Sequence, residues 1–213
     1  MPALQPVLQV QQLHFAYPGS PVLVARWSHT VPAGVTWLRG DTGSGKTTLL
    51  SLLAGERVMA GGLVLDGVDW RADIAAYRRG LFWHDPASAD SDACHALKPP
   101  DIAVRLRARH PRFDDTAWQQ HVQGFGLAPH LAKPLFALST GSRRKVWLAA
   151  GLSAGCALTL LDEPTAGLDA PSVAYLMQAL AHCAGWPDRA TVVASGVPLD
   201  GVPLAGVIDL PLA

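Results

Sequence analysis

A short segment near the start of the chain carries residue types that can bind phosphate groups. Residues 40 to 50 read GDTGSGKTTLL, which places Lys46 directly after the last of three closely spaced glycines. Backbone N–H groups in such a loop can surround a polyphosphate, glycine lets the anion approach, and the lysine supplies a counter-charge. The predicted nucleotide-binding residues of this loop are Gly40, Asp41, Thr42, Gly43, Ser44, Gly45, Lys46, Thr47 and Thr48.

The segments on either side of the loop predict the strand-to-helix turn that this kind of phosphate binding requires. The apolar run 35–38 is predicted to be a strand, and 47–54 is predicted to be a helix that ends at Gly55. The free N–H groups and the dipole at the start of that helix would also face the anion.

Two adjacent acidic residues, Asp162 and Glu163, follow a second apolar run at 157–161, which is predicted to be a buried strand. Mg²⁺ prefers oxygen ligands, so we predict that Asp162 and the Thr47 hydroxyl hold this ion beside the phosphates. Glu163 is predicted to be catalytic, because it could polarise a water molecule in line with the terminal phosphate. Lys46 is the other predicted catalytic residue.

Length and composition limit the classes of function. The 213 residues suffice for one sizeable α/β core, and 17 basic residues balance 17 acidic ones, which argues against nucleic-acid binding through bulk charge. Three widely spaced cysteines predict neither a disulfide framework nor a zinc site and favour the cytosol. We expect no signal peptide, and the uncharged run 146–161 is too short to span a bilayer.

The order of the motifs resembles that of the nucleotide-binding domain of ABC transporters. After the phosphate loop come LSTGS at 138–142 and LLDEPTAGLDAPS at 160–172, and the resemblance covers nearly the whole chain. It implies an α/β fold with a RecA-like P-loop NTPase core, an N-terminal antiparallel β layer and a small helical subdomain. The implied ATP-binding core is 1–85 and 138–213, and the implied helical subdomain inserted in it is 86–137.

The resemblance also assigns residues outside the phosphate loop. Ser139 and Gly141 match signature residues that, in the family, bind the terminal phosphate of a nucleotide held by the opposing subunit. Thr140 and Ser142 depart from the usual Gly and Gln. Asp169 lies in the loop that touches the partner domain in the family. From the residues alone, Ser139 and Asp169 are each predicted to cap the helix that follows them.

Tyr17 matches the aromatic residue that stacks on adenine in this family. It ends one of the short predicted N-terminal strands, which together resemble the antiparallel β layer. Two later segments have the apolar spacing of helices. The predicted strands are 7–10, 13–17 and 62–67, and the predicted helices are 101–110 and 115–127.

Two positions depart from the family pattern. After the predicted strand 80–83 the family has a glutamine that senses the metal ion and the attacking water, and either His84 or Asp85 stands there. Asp85 is a hard oxygen donor and is predicted as a further metal ligand. After the predicted strand 191–194 the family has a histidine that orients the water, and Gly196 stands there. We therefore expect retained ATP binding with slow hydrolysis.

The resemblance implies the ATP-binding subunit of an ABC transporter, an ATPase that uses Mg-ATP to drive motion in separate transmembrane permease subunits. Its partners would be those subunits and a second ABC domain, either identical or different, on the cytoplasmic face of a bacterial inner membrane. The two departures also favour an alternative, an ATP-gated regulatory or assembly module with little or no hydrolysis. An ABC ATPase acting on nucleic acid is a weaker alternative, and no nucleic acid is expected as a partner.

Overall fold

The computed structural model describes residues 6–57, 59–85 and 93–212, which form two β-sheets with helices packed around them. The strands are β1 (Pro6–Ala16), β2 (Val22–Pro32), β3 (Gly34–Arg39), β4 (Ala60–Leu65), β5 (Val68–Asp69), β6 (Leu81–Phe82), β7 (Leu158–Asp162), β8 (Ala190–Ala194) and β9 (Leu204–Asp209). The helices are α1 (Lys46–Leu53), α2 (Ile74–Arg79), α3 (Pro99–Arg109), α4 (Asp115–Gly124), α5 (Thr140–Ser153) and α6 (Ala170–Cys183).

The antiparallel sheet has the strand order β2-β1-β4-β5. Its strand β1 runs without a break from Pro6 to Ala16, where the sequence predicted two separate strands. Gln12 has a φ of 49°, and the register with β2 shifts between Val10 and Leu13. A local irregularity inside one strand therefore interrupts the alternation of apolar residues that otherwise marks a strand.

The parallel sheet has the strand order β6-β7-β8-β3-β9. All residues of β8 and the first four of β7 are buried, which explains why both strands appear in the sequence as continuous apolar runs. Because β7, β8 and β3 are parallel neighbours, their carboxyl ends lie at one edge of the sheet. The phosphate loop, Asp162 at the end of β7, and Gly196 all lie at that edge.

Two apolar clusters hold these layers together. In one, Ile102 of α3 and Trp118 of α4 pack with α5 and one face of the parallel sheet. In the other, Leu8 of β1 and Leu49 of α1 pack with the opposite face of the same sheet. Helices α3 and α4 confirm the two predicted helical segments and lie within the proposed helical subdomain, of which residues 86–92 are outside the described part of the chain.

Among the described residues, no helix is long and apolar enough to cross a membrane. The uncharged run 146–161 is shared between α5 and β7, and Gly155, with a φ of 65°, lies in the turn between them. β7 confirms the buried strand that the sequence predicted at 157–161.

Candidate nucleotide-binding site

The loop between β3 and α1 is a tight turn that leaves little space for side chains. Gly43 and Gly45 have φ values of 82° and 98°, which glycine adopts without strain. A Cβ on Gly45 would lie 2.6 Å from Leu23 Cδ1, and one on Gly40 would lie 2.6 Å from Ser44 Oγ. A larger residue at Gly40 or Gly45 would therefore displace its neighbours, which gives a physical reason for glycine at these two positions.

Lys46, the first residue of α1, reaches back over this loop. Its Nζ donates hydrogen bonds to the carbonyl oxygens of Gly40, at 2.8 Å, and Asp41, at 3.1 Å. It also lies 3.3 Å from Oε1 of Glu163, and only 8% of the lysine side chain is exposed. A buried ammonium group needs such oxygen partners, and the oxygens of a phosphate group would meet the same need.

Asp162 and Thr47 form a candidate metal site at the carboxyl end of β7. The Thr47 hydroxyl donates a hydrogen bond to Oδ2 of Asp162 at 2.6 Å. Within the described residues, the other oxygen, Oδ1, is buried without a hydrogen-bond partner, as is Oγ of Ser44. Burial raises the pKa of Asp162, and the Thr47 hydrogen bond opposes that rise. A buried, unpaired carboxylate oxygen beside a hydroxyl fits a divalent cation, which would favour the ionised carboxylate.

Glu163 lies between the phosphate loop and the turn after β8. Its backbone N–H donates to the carbonyl oxygen of Ala194 at 2.8 Å. Its carboxylate accepts a hydrogen bond from the backbone N–H of Gly196, with N···O distances of 3.2 and 3.5 Å. The side chain is 42% exposed, so water can reach it, as a general base requires. The contacts with Lys46 and Gly196 together direct the carboxylate toward the phosphate loop.

The backbone at Gly196 has room for a side chain. The nearest atoms to a Cβ there would be Oε1 of Glu163, at 3.9 Å, and the carbonyl oxygen of Gly40, at 4.0 Å. These are ordinary contact distances, and a side chain at this position would begin beside both the predicted base and the phosphate loop. A histidine from elsewhere in the chain could in principle replace the missing side chain, but within the described residues none of five candidates hydrogen-bonds to Glu163. These candidates are His29, His110, His121, His130 and His182.

His84 and Asp85, the two candidates for the glutamine position, have different surroundings. His84 stacks on Trp147 of α5, with ring centroids 3.8 Å apart and planes 15° from parallel. It lines a cavity of about 470 Å³ that also contains Asp162 and Glu163. Asp85 lines a different cavity, together with Glu56 and Arg78, into which His84 also extends. His84 is therefore the residue that lies on the side of the predicted catalytic pair.

Tyr17, the predicted adenine-stacking residue, lies close to the start of α1. Its hydroxyl is 3.0 Å from the hydroxyl oxygen of Thr48. The guanidinium of Arg57 lies over the tyrosine ring, 5.4 Å from its centroid, and donates a hydrogen bond to Ser51 at 2.6 Å. The tyrosine is 39% exposed, so its ring is accessible from solvent beside the phosphate loop.

The two predicted helix caps are confirmed. The Ser139 hydroxyl accepts a hydrogen bond from the N–H of Ser142 at 3.1 Å, at the start of α5. The Asp169 carboxylate accepts one from the N–H of Ser172 at 2.9 Å, at the start of α6. Lys145 lies 2.6 Å from the same carboxylate, and these hydrogen bonds, that of Lys145 first, lower the pKa of Asp169.

The start of α5 packs against the loop that follows Glu163. A Cβ on Gly141 would lie 2.5 Å from the carbonyl oxygen of Gly167, so the two backbones approach as closely as glycine allows. Arg144 contacts the same loop through hydrogen bonds to the carbonyl oxygens of Glu163 and Ala166. This contact could not be predicted from the sequence, because every residue has a carbonyl oxygen and no residue type marks the acceptors.

The chain matches a known protein family. A family model described as ABC transporter matches residues 25–166, which is more than half of the chain. The chain belongs to the ABC transporter family. The order of phosphate loop, signature segment and acidic pair in this ABC chain is thus the family order, and the α/β fold is confirmed.

Curated relatives of this ABC chain are ATP-binding proteins. It is 34% identical over 167 residues to the zinc import ATP-binding protein ZnuC of Halorhodospira halophila, which covers 78% of this chain and 59% of that protein. It therefore spans about three fifths of that relative. It is 33% identical over 181 residues to the cytochrome c biogenesis ATP-binding export protein CcmA of Alkalilimnicola ehrlichii, with coverage of 84% and 76%.

Solved structures of the family share the fold. An ATP-binding subunit of an ABC transporter superposes with a TM-score of 0.76 at 17% identity, covering 90% of this chain and 80% of the other. The cbiO1 protein of Clostridium perfringens, part of the ABC transporter complex cbiONQ, gives 0.67 at 22% identity, covering 90% and 79%.

Proposed function

We propose that this chain is the ATP-hydrolysing subunit of an ABC transporter whose membrane-spanning subunits are separate chains. The observation that carries the proposal is the position of the Glu163 carboxylate, which lies between Lys46 of the phosphate loop and the N–H of Gly196. A phosphate-binding loop, a candidate metal site and a solvent-accessible base at one edge of a parallel sheet are the parts that ATP hydrolysis requires.

The binding roles follow from the contacts. Backbone N–H groups of the loop 40–48 would surround the phosphates of ATP, and Lys46 would neutralise part of their charge. Tyr17 would stack on the adenine ring. Thr47 and Asp162 would hold Mg²⁺, which when bound draws negative charge from the phosphate oxygens. Asp85 remains a proposed further metal ligand, since its carboxylate is a suitable donor although it lines a different cavity.

For the hydrolytic step we propose that Glu163 accepts a proton from the attacking water. The N–H of Gly196 fixes one carboxylate oxygen, but the chain offers no imidazole at this position to orient the water or contact the terminal phosphate. Loss of one positioned polar group commonly costs on the order of 10²- to 10³-fold in rate. We therefore propose that this chain hydrolyses Mg-ATP slowly while binding it well.

Two kinds of partner belong to the proposal. A second ABC domain, identical or different, would receive Ser139, Gly141 and the loop of Asp169 against its own nucleotide. Transmembrane permease subunits would place the chain on the cytoplasmic face of a bacterial inner membrane. The relatives are named for zinc import and for export in cytochrome c biogenesis. We therefore propose coupling to transport and assign neither a cargo nor a direction.

Gly196 also supports a second candidate function. A chain that binds ATP without sustained hydrolysis could serve as an ATP-gated regulatory or assembly module for a more active partner. The observation that favours this candidate is the bare position beside Glu163, where a Cβ would fit. The intact acidic pair favours hydrolysis.

Turnover of Mg-ATP by the purified chain, with nucleotide binding measured on the same samples, separates the two candidates. We expect slow phosphate release by the parent and none by Glu163→Gln, with equal ATP affinity. If both proteins bind ATP and neither releases phosphate, the regulatory function is correct. If neither binds ATP, both candidates are wrong. Co-purification with a membrane protein under native extraction tests the coupling separately.

A further inference from the structure

Arg144 of α5 is bound to the backbone that carries the predicted base. Its Nη1 donates hydrogen bonds to the carbonyl oxygens of Glu163 and Ala166, each at 2.7 Å. Hydrogen bonds from an ionised donor are stronger than those between neutral groups. The guanidinium thus bridges two carbonyl oxygens of the turn after β7.

The backbone at Glu163 needs such support. Its φ of 40° lies in the left-handed region, which is disfavoured for residues that carry a Cβ and persists only where neighbouring contacts hold it. The N–H of this residue donates to the carbonyl oxygen of Ala194, and its own carbonyl oxygen accepts hydrogen bonds from Arg144 and from the N–H of Ala166. The direction of the Glu163 side chain depends on this backbone conformation, and so does its contact with Gly196.

We propose that Arg144 is a positioning residue that keeps the Glu163 carboxylate on the N–H of Gly196 and beside Lys46. It acts through the backbone of Glu163 and does not touch the reacting atoms. The competing explanation is that Arg144 only attaches α5 to the loop, and that replacing Arg144 leaves the position of the Glu163 carboxylate unchanged.

In a dimer that sandwiches two nucleotides, Arg144 would also link the two sites, a consequence that rests on the proposed function. Helix α5 begins with Ser139 and Gly141, the residues assigned to the partner's nucleotide, and Arg144 lies one turn further along it. A contact between the start of α5 and the partner's nucleotide would then affect the position of Glu163, which would act on the nucleotide bound by its own chain.

The Gly196 N–H reports the position of the carboxylate without any need for hydrolysis. We would label the glycines of the full chain with ¹⁵N, assign Gly196 by Gly196→Ala, and record amide spectra without nucleotide. Glu163→Ala gives the shift caused by complete loss of the hydrogen bond. The test variant is Arg144→Met, the matched control is Arg143→Met on the same helix, and Arg144→Gln restores an uncharged donor.

We expect Arg144→Met to move the Gly196 signal toward its position in Glu163→Ala, Arg143→Met to leave it in place, and Arg144→Gln to return it most of the way. A Gly196 signal unchanged in Arg144→Met overturns the proposal. If Arg144→Met does not fold, Arg144→Ala, which also removes both donated hydrogen bonds, replaces it, and an unchanged Gly196 signal in that variant overturns the proposal equally.

Steady-state turnover supplies the functional arm. We expect Arg144→Met to lower kcat by about 10- to 100-fold with little change in KM, and Arg144→Gln to recover most of the rate. A rise in KM with kcat unchanged contradicts a positioning role. If the parent chain has no turnover, the proposed hydrolysis fails while the amide spectra still decide the role of Arg144.

Discussion

The carboxylate of Glu163 accepts a hydrogen bond from the backbone N–H of Gly196 at 3.2 Å. The proposed base is therefore held by a main-chain donor, at the position where the ABC pattern has a histidine side chain. A main-chain N–H can fix the carboxylate, but it offers nothing that reaches the water or the terminal phosphate.

Gly196→His should raise the rate of ATP hydrolysis. The introduced Cβ would lie 3.9 Å from Oε1 of Glu163 without a backbone clash, and a positioned imidazole can contribute about 10²-fold or more. Phosphate release at saturating Mg-ATP measures the effect. Gly196→Ala, which adds the Cβ alone, should match the parent, and a histidine variant no faster than the alanine variant would count against the missing group as the cause of slow turnover.

Tyr17→Ala should weaken ATP binding, by about 1–3 kcal/mol if the ring stacks on the base. Tyr17→Phe keeps the ring and removes only the hydroxyl near Thr48, so its affinity should stay close to that of the parent. Isothermal titration with ATP and with inorganic triphosphate separates base from phosphate contacts. Equal losses for both ligands in Tyr17→Ala would show that the ring does not bind adenine.

Gly141→Ala should destabilise the folded chain, since its Cβ would lie 2.5 Å from the Gly167 carbonyl oxygen. Steric conflict with backbone costs about 1–3 kcal/mol in unfolding free energy. Urea unfolding measures the loss, with Thr140→Ala as the exposed neighbouring control. A variant as stable as the parent would mean that the loop at 163–169 moves away without cost.

Stability should fall in mild acid because of His121. Burial, with a smaller contribution from His182, lowers its pKa to about 4, against the opposing effect of Asp114. Between that value and the ordinary pKa of about 6.5 the unfolded chain binds more protons, so the free energy of unfolding decreases as pH falls through this window.

His121→Gln removes this titration while leaving a polar group near the Tyr175 hydroxyl, which lies 2.9 Å from the imidazole. Urea midpoints at pH 7.5 and 5 should differ less in the variant than in the parent. His110, whose pKa burial also lowers, should retain part of the pH dependence. Identical pH dependence in both proteins would exclude His121 as a contributor.

Local patterns predicted the parts of the site that depend on local geometry. The phosphate loop needs glycine at defined spacing, and the caps at Ser139 and Asp169 are hydrogen bonds to residues only three positions away, so both could be read from the sequence. The acidic pair at the end of a buried apolar run was predictable for the same reason.

Contacts between distant segments could not be predicted in this way. Arg144 binds carbonyl oxygens, which every residue possesses, and the choice between His84 and Asp85 depends on which side chain turns toward α5. The single strand β1 was missed because the irregularity at Gln12 breaks the alternation of apolar residues and imitates a turn. β2, unpredicted, pairs with β1 along its length.

The supports of Glu163 come from parts of the chain far apart in sequence. The family match ends at residue 166, whereas the carbonyl oxygen of Ala194 and the N–H of Gly196 belong to β8 and the turn after it. All motifs that the family model matches are therefore synthesised before β8 and the turn after it. A chain cut short before β8 would carry those motifs but lack the two main-chain contacts that hold the proposed base.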